Sequence, residues 1–164
     1  MHFEDFEVGQ TFRTGAARLD EPAIIAFAER YDWQPFHTDA DAARASPFGG
    51  LIASGFQTLL TAFGLTLKAG LWDGTGLGSP GIDSLRWLAP VRPGDTLSVT
   101  IEVIATRASR SRPNLGVVTL GNTITRADGE AVMSYELLVM VARRSPDATM
   151  VESADTRTDT GHGG

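Results

Sequence analysis

The chain has 164 residues, 42% hydrophobic and 21% charged, a mean hydropathy of −0.05, no cysteine and a formal net charge of −6. That length and apolar content suit one ordinary folded core and exclude a wholly disordered chain. The absence of cysteine excludes disulfides, thiolate chemistry and cysteine-based zinc sites.

The acidic start, MHFEDFEVGQ, lacks the apolar segment of a secretory signal. No apolar run reaches the ~20 residues that span a bilayer. A cytoplasmic protein without membrane attachment is expected. The charge also argues against nucleic acid as a partner, since phosphate binding needs a basic face.

Residues Gln10–Ala17 read as a first strand. Asp20 is placed as a helix cap, with Glu21 and Pro22 in the first turn and Ile24, Ile25, Phe27, Ala28 and Tyr31 as the apolar stripe. Pro35 stops that helix. Asp39–Ala45 makes at most a short helix before Pro47 and the Gly49-Gly50 pair.

The longest helical pattern follows, through Ile52, Phe56, Leu59, Leu60, Phe63 and Leu67, with Lys68 the only charge between Leu51 and Leu71. Apolar nearly all round, it is expected to be buried. Ser54 and Gln57 fit a reciprocal cap at its start. The glycine-rich GTGLGSPG at 74–81 lacks the dinucleotide fingerprint and reads as a mobile connector.

From Ile82 onward the period is two. Leu97, Val99, Ile101 and Val103 alternate with Thr96, Ser98, Thr100 and Glu102; Val118, Leu120 and Ile124 mark another strand, interrupted by Asn122. Asp128-Gly129 signals a hairpin turn, and Ala131–Ala142 reads as a central strand. Residues 145–164, with a net charge of −3 and few large apolar groups, read as a disordered acidic C-terminal tail after a single domain over 1–144. One long helix with several long antiparallel strands makes the fold class α+β, a sheet curled around a helix. Open sheet edges and uncovered apolar surface predict that it dimerises.

Of three histidines, His2 abuts the start and His162 lies in the tail, which leaves His37, five positions after Asp32. On one helix that spacing turns by about 140° and separates the side chains; the break at Pro35 lets the segment fold back and bring them together. Asp32 follows a helix C-terminus, where a negative charge is unfavourable, so its pKa is expected to be raised toward use as a base. Tyr31, Trp33 and Phe36 are expected to exclude water from it. With Ser54 as cap, Gly55 opens the buried helix, and its N–H suits an anionic oxygen. The same residues also fit plain roles: capping and surface positions for Asp32 and His37, close packing for Gly55.

Tyr31-Asp32-x-Gln34-Pro35-x-His37, followed by Phe48-Gly49-Gly50-Leu51-Ile52-Ala53-Ser54-Gly55 and later by Arg86-Trp87-Leu88-Ala89-Pro90-Val91-Arg92-Pro93-Gly94-Asp95, resembles the MaoC-like dehydratases, which include the (R)-specific enoyl-CoA hydratases. The resemblance covers roughly residues 5–143. Gln34 stands where that family usually has Asn, and Tyr31 where it has a small residue.

The resemblance implies a hot-dog fold, with a long central helix wrapped by a curved antiparallel sheet, as a homodimer or a dimer of dimers. It implies reversible hydration of a trans-2-enoyl-CoA to an (R)-3-hydroxyacyl-CoA. Asp32 and His37 would be the catalytic pair, holding one water, and the Gly55 N–H the donor to the thioester oxygen. No metal or other cofactor is implied; CoA enters as part of the substrate. Arg107, Arg110 and Arg112 are candidate contacts to its phosphates, or else a solvated turn. The alternatives are a hot-dog acyl-CoA thioesterase and a non-catalytic acyl-CoA-binding subunit.

Overall fold

Alternating apolar residues build most of the sheet. The structure, a computed structural model, describes residues 1–144; the acidic tail lies outside the described residues. A short 3-10 turn over Phe3–Asp5 precedes strand β1 (Thr11–Arg18). Helices α1 (Glu21–Tyr31), α2 (Pro35–Thr38), α3 (Ala40–Ala45) and α4 (Gly55–Lys68) follow. Strands β2 (Gly81–Trp87), β3 (Thr96–Ala108), β4 (Leu115–Arg126) and β5 (Ala131–Ala142) complete the order. The strands form one antiparallel sheet in the order β1-β3-β4-β5-β2, with β1 and β2 at its edges. It is the α+β hot-dog arrangement, a long helix laid on an antiparallel sheet.

The core lies between that sheet and α4. Leu97, Val99, Ile101 and Val103 of β3 face it, with Val118, Leu120 and Ile124 of β4 and Met133, Tyr135 and Leu137 of β5. Their polar alternates turn outward, as a period of two requires. Gly129 closes the β4–β5 hairpin at φ +89°, a conformation open to glycine.

Two expectations change. Helix α4 is covered on one face only. Phe56, Leu60 and Leu67 are exposed, while Gln57, Thr58 and Thr66 face inward with Ala62 and Leu65. The inward hydroxyls are satisfied locally: Thr58 donates to the Ser54 carbonyl and Thr66 to that of Ala62. One sheet can cover only one side of a helix, so the all-round apolar pattern leaves an outward stripe. The glycine-rich stretch is not a free connector either. Leu77 donates to the Met140 carbonyl and Met140 to that of Gly78, which lays these residues along β5.

Candidate active site

The corner between α1 and α2 carries Asp32 and His37. Asp20 caps α1 by accepting from the Ala23 N–H at 2.9 Å, and the helix ends at Tyr31. Asp32 is its C-cap, its own N–H still bonded to the Ala28 carbonyl at 2.8 Å. Pro35 then opens α2, where its missing N–H is no loss. The bend turns His37 back onto Asp32. The ring is buried, and its Nε2 lies 3.4 Å from Asp32 Oδ2.

Backbone contacts fix the imidazole. Its Nδ1 lies 2.8 Å from the Ile52 carbonyl oxygen, and the Ile52 N–H donates to the Phe36 carbonyl at 3.2 Å. A carbonyl only accepts, so Nδ1 carries the hydrogen. In the neutral ring, the Nε2 lone pair therefore faces Asp32. Phe36 packs edge-on against the ring at 4.5 Å, and Phe48 against Phe36 at 5.0 Å.

Both carboxylate oxygens of Asp32 accept hydrogen bonds. Gln34 Nε2 donates to Oδ1 at 2.8 Å, and the Ser54 hydroxyl to Oδ2 at 2.7 Å. Burial raises the pKa of this carboxyl, but the Ser54 and Gln34 bonds and the nearby His37 together outweigh it and hold it below the ordinary carboxylate value. The expected upward shift is thus reversed. The chain end of α1 is only one part of the field at Asp32, and two donors aimed at its oxygens counter it.

Ser54 also caps α4, but not reciprocally. Its Oγ accepts from the Phe56 N–H at 3.2 Å, while the Gln57 side chain reaches away to the Ala23 carbonyl at 3.0 Å. The first amide of α4, Gly55 N–H, has no hydrogen-bond partner among the described residues. It stands at the positive end of the helix. A Cβ on Gly55 would run into the indole of Trp87, so glycine is required here by packing as well.

These groups border one cavity of about 440 Å³. Asp32, His37 and Gly55 meet it together with apolar walls that include Phe36, Phe48 and Trp87. Tyr31 and Trp33 do not screen it. Both are largely exposed, Tyr31 resting on Phe27 and Trp33 donating its ring N–H to the Glu29 carbonyl. Of the three aromatics, only Phe36 shields the pair.

Arg107, Arg110 and Arg112 line no part of the cavity. They lie at the β3–β4 end of the sheet, whereas Pro90, Val91 and Val132 on the wall lie at the β4–β5 end. The 13 residues of β3 separate the two ends by roughly 40 Å. Among the described residues, no three His, Cys, Asp or Glu side chains gather as a metal site requires. No described helix is long and apolar enough to cross a membrane.

Sequence reading missed the grip on Asp32. Ser54 was legible as a cap, but its bond to a carboxylate 22 residues earlier carries no local signal. Gln34 had one, its short spacing from Asp32.

Comparison with known proteins places this arrangement. Residues 5–126 match the family described as MaoC like domain. The chain is 34% identical over 151 residues to an (R)-specific enoyl-CoA hydratase of Rhodospirillum rubrum, covering 87% of this chain and 93% of that one. It is 34% identical over 142 residues to a 3-hydroxybutyryl-CoA dehydratase of Methylorubrum extorquens, covering 81% and 83%. The crystal structure of a MaoC-like dehydratase from Rhodospirillum rubrum superposes with a TM-score of 0.83 at 39% identity, covering 88% of this chain and 99% of that one. With the family match spanning most of its length and relatives named hydratase and dehydratase on either side, this chain belongs to the MaoC-like domain family.

Proposed function

We propose that the protein adds water reversibly to a trans-2-enoyl-CoA, giving an (R)-3-hydroxyacyl-CoA, with Asp32 and His37 as the catalytic pair and the Gly55 N–H as the oxyanion donor. The observation that carries this reading is the 3.4 Å approach of His37 Nε2 to Asp32 Oδ2 on the wall of a cavity that also meets an unpartnered helix-opening amide.

A water held in the cavity before this pair donates one hydrogen to Nε2 and the other to the Asp32 carboxylate, both of which are acceptors. The Ser54 and Gln34 bonds keep Asp32 ionised and make it the weaker acceptor, so the transferred proton goes to His37 Nε2. The water oxygen attacks C3, and the C2–C3 π pair moves toward C2 and the thioester carbonyl. Negative charge gathers on the carbonyl oxygen, where the Gly55 N–H and the positive end of α4 meet it. His37 then returns the proton to C2. The sum is one water added and the catalyst unchanged. Asp32 orients the water and balances the imidazolium charge. The scheme uses no metal or redox cofactor, and CoA is part of the substrate.

A second copy of the chain fits the outward apolar stripe of α4, Phe56, Leu60 and Leu67, beside the unpaired edge strand β2 with exposed Trp87. Both features would be covered in a homodimer. The lack of cysteine accords with a reducing cytoplasm.

The test is loss of conjugated-thioester absorbance with crotonyl-CoA, followed by chiral analysis of the product. Wild type should hydrate it to the (R)-alcohol, and Asp32→Asn should lower kcat by ~10²–10⁴-fold while remaining folded. Release of free thiol with the alkene intact would favour the thioesterase instead, and tight binding without turnover a non-catalytic acyl-CoA-binding subunit.

A further inference from the structure

The substrate class proposed above carries phosphates, and a cation lies beside the cavity, bonded to one of its wall residues. Arg92 follows Pro90 and Val91, which line the cavity. Its guanidinium turns toward the segment between α3 and α4: Nη2 donates to the Phe48 carbonyl at 2.7 Å, and Nη1 lies beside Gly50. Phe48 is itself a wall residue, so the guanidinium, which does not line the cavity, is fastened to a residue that does.

The contrast with the neighbouring arginine is informative. Arg126, on the same end of the sheet, bonds the Pro90 carbonyl and is surrounded by Asp95, Asp128 and Glu130. Its charge is already balanced. Arg92 has no carboxylate partner among the described residues; Asp95 takes only its backbone N–H, at 2.8 Å. A half-buried guanidinium with one carbonyl contact keeps most of its five donors for another acceptor. In a chain of net charge −6, that unspent cation stands next to wall residues of the cavity, Phe48 and Val91. The arginines of the β3–β4 turn are at the other end of the sheet.

We propose that Arg92 is a phosphate-binding residue of this site. It pairs with a phosphate of the CoA moiety while the acyl group occupies the cavity. This rests on the acyl-CoA reading above. The fork of a guanidinium matches two oxygens of one phosphate, and such charge-assisted pairs are among the stronger polar contacts. Fastening the same side chain to Phe48 would couple carrier binding to the wall that touches Phe36 and, through it, His37.

The experiment compares esters with and without phosphate. Affinities of butyryl-CoA and butyryl-pantetheine are measured by calorimetry for wild type and Arg92→Gln, and turnover is measured with the two crotonyl counterparts. Arg92→Gln should weaken butyryl-CoA by about tenfold, and at least fivefold more than it weakens butyryl-pantetheine. Turnover should show the same split in KM, not in kcat. Equal losses for both esters would make Arg92 a prop for Phe48 and overturn the proposal, as would no loss for either. If Arg92→Gln does not fold, Arg92→Lys keeps the charge without the fork and should give a smaller loss confined to the CoA ester; an equal loss for both esters overturns it there too. Wild-type protein that binds butyryl-CoA but hydrates neither crotonyl ester would remove the hydratase reading and leave the phosphate site standing. Failure to bind butyryl-CoA removes both.

Discussion

The side-chain polar atoms of Asp32 and His37 have partners or face the cavity, whereas three buried ones elsewhere among the described residues have none: Gln57 Oε1 on the first turn of α4, and two between α4 and the middle of the sheet. At the corner, both Asp32 oxygens, the Ser54 hydroxyl and His37 Nδ1 are engaged, and what stays open faces a cavity. Under the helix, Asn122 and Tyr135 sit opposite each other on β4 and β5, and Asn122 Oδ1 and the Tyr135 hydroxyl lack partners among the described residues. Asn122 spends its Nδ2 on the Leu120 carbonyl at 2.9 Å. The difference teaches where buried polarity serves reaction and where it is only a cost. A group with partners holds one geometry and one charge state; a group without them pays its desolvation with nothing returned.

The sharpest way to break this contrast is at the corner. His37→Ala removes the proposed proton acceptor, and kcat for crotonyl-CoA should fall by ~10²–10⁴-fold in protein that still folds cooperatively, with a lowered thermal midpoint because the imidazole is buried and the Ile52 carbonyl loses its donor. Activity near wild type in the folded variant would strip the corner of its chemical role.

Gly55→Ala comes next. It keeps the amide but places a methyl where the Trp87 indole lies. Overpacking of this kind costs ~1–3 kcal/mol, read by urea unfolding, and a displaced indole should also narrow access to the amide and lower kcat/KM. An unaltered midpoint and rate would mean that the glycine is not needed for close approach.

Ser54→Ala tests the grip on Asp32. The carboxyl is held below its ordinary value, so its ionised form favours the folded state at pH above the unfolded value, and that contribution is lost as pH falls through the lower folded value. Removing the Ser54 donor lets the pKa rise again. The acid limb of stability should therefore begin at higher pH than in wild type. A stability profile with an unmoved acid limb would show that Ser54 is only a cap.

Much of this arrangement was legible because it is local. The Asp20 cap, the break at Pro35 and the alternation of Leu97, Val99, Ile101 and Val103 each depend on a few neighbouring residues, and each formed as expected. What escaped depends on which distant segment arrives. The direction of the Asp32 shift needs Ser54 and Gln34 at its oxygens; the exposure of Phe56, Leu60 and Leu67 needs the fact that one sheet covers one side of α4. The glycine-rich stretch is ordered by β5, some sixty positions later, which composition cannot foretell. Asp32 and His37 sit between these cases: the proline made their meeting readable, but not the hydrogen-bonding that sets their charge.

The smallest effect is expected under the helix, and its sign decides whether the comparison holds. Burial pushes the Tyr135 hydroxyl up to about 12, so it stays neutral; the Thr66 hydroxyl nearby eases that shift slightly, but no hydrogen bond of normal geometry joins them. Thr66 already gives its own hydrogen to the Ala62 carbonyl. Tyr135→Phe keeps the ring and removes an unpaired polar atom. If that atom is a net cost, urea unfolding should show stability unchanged or raised by up to ~1 kcal/mol, because deleting an unmade bond relieves desolvation without orphaning a strong partner. The hydration rate should not move, since Tyr135 does not line the cavity. A loss of ~1–3 kcal/mol would instead mean that the hydroxyl is satisfied, by Thr66 or by a buried water shared with Asn122, and the polar groups under the helix would then obey the same rule as those at the corner.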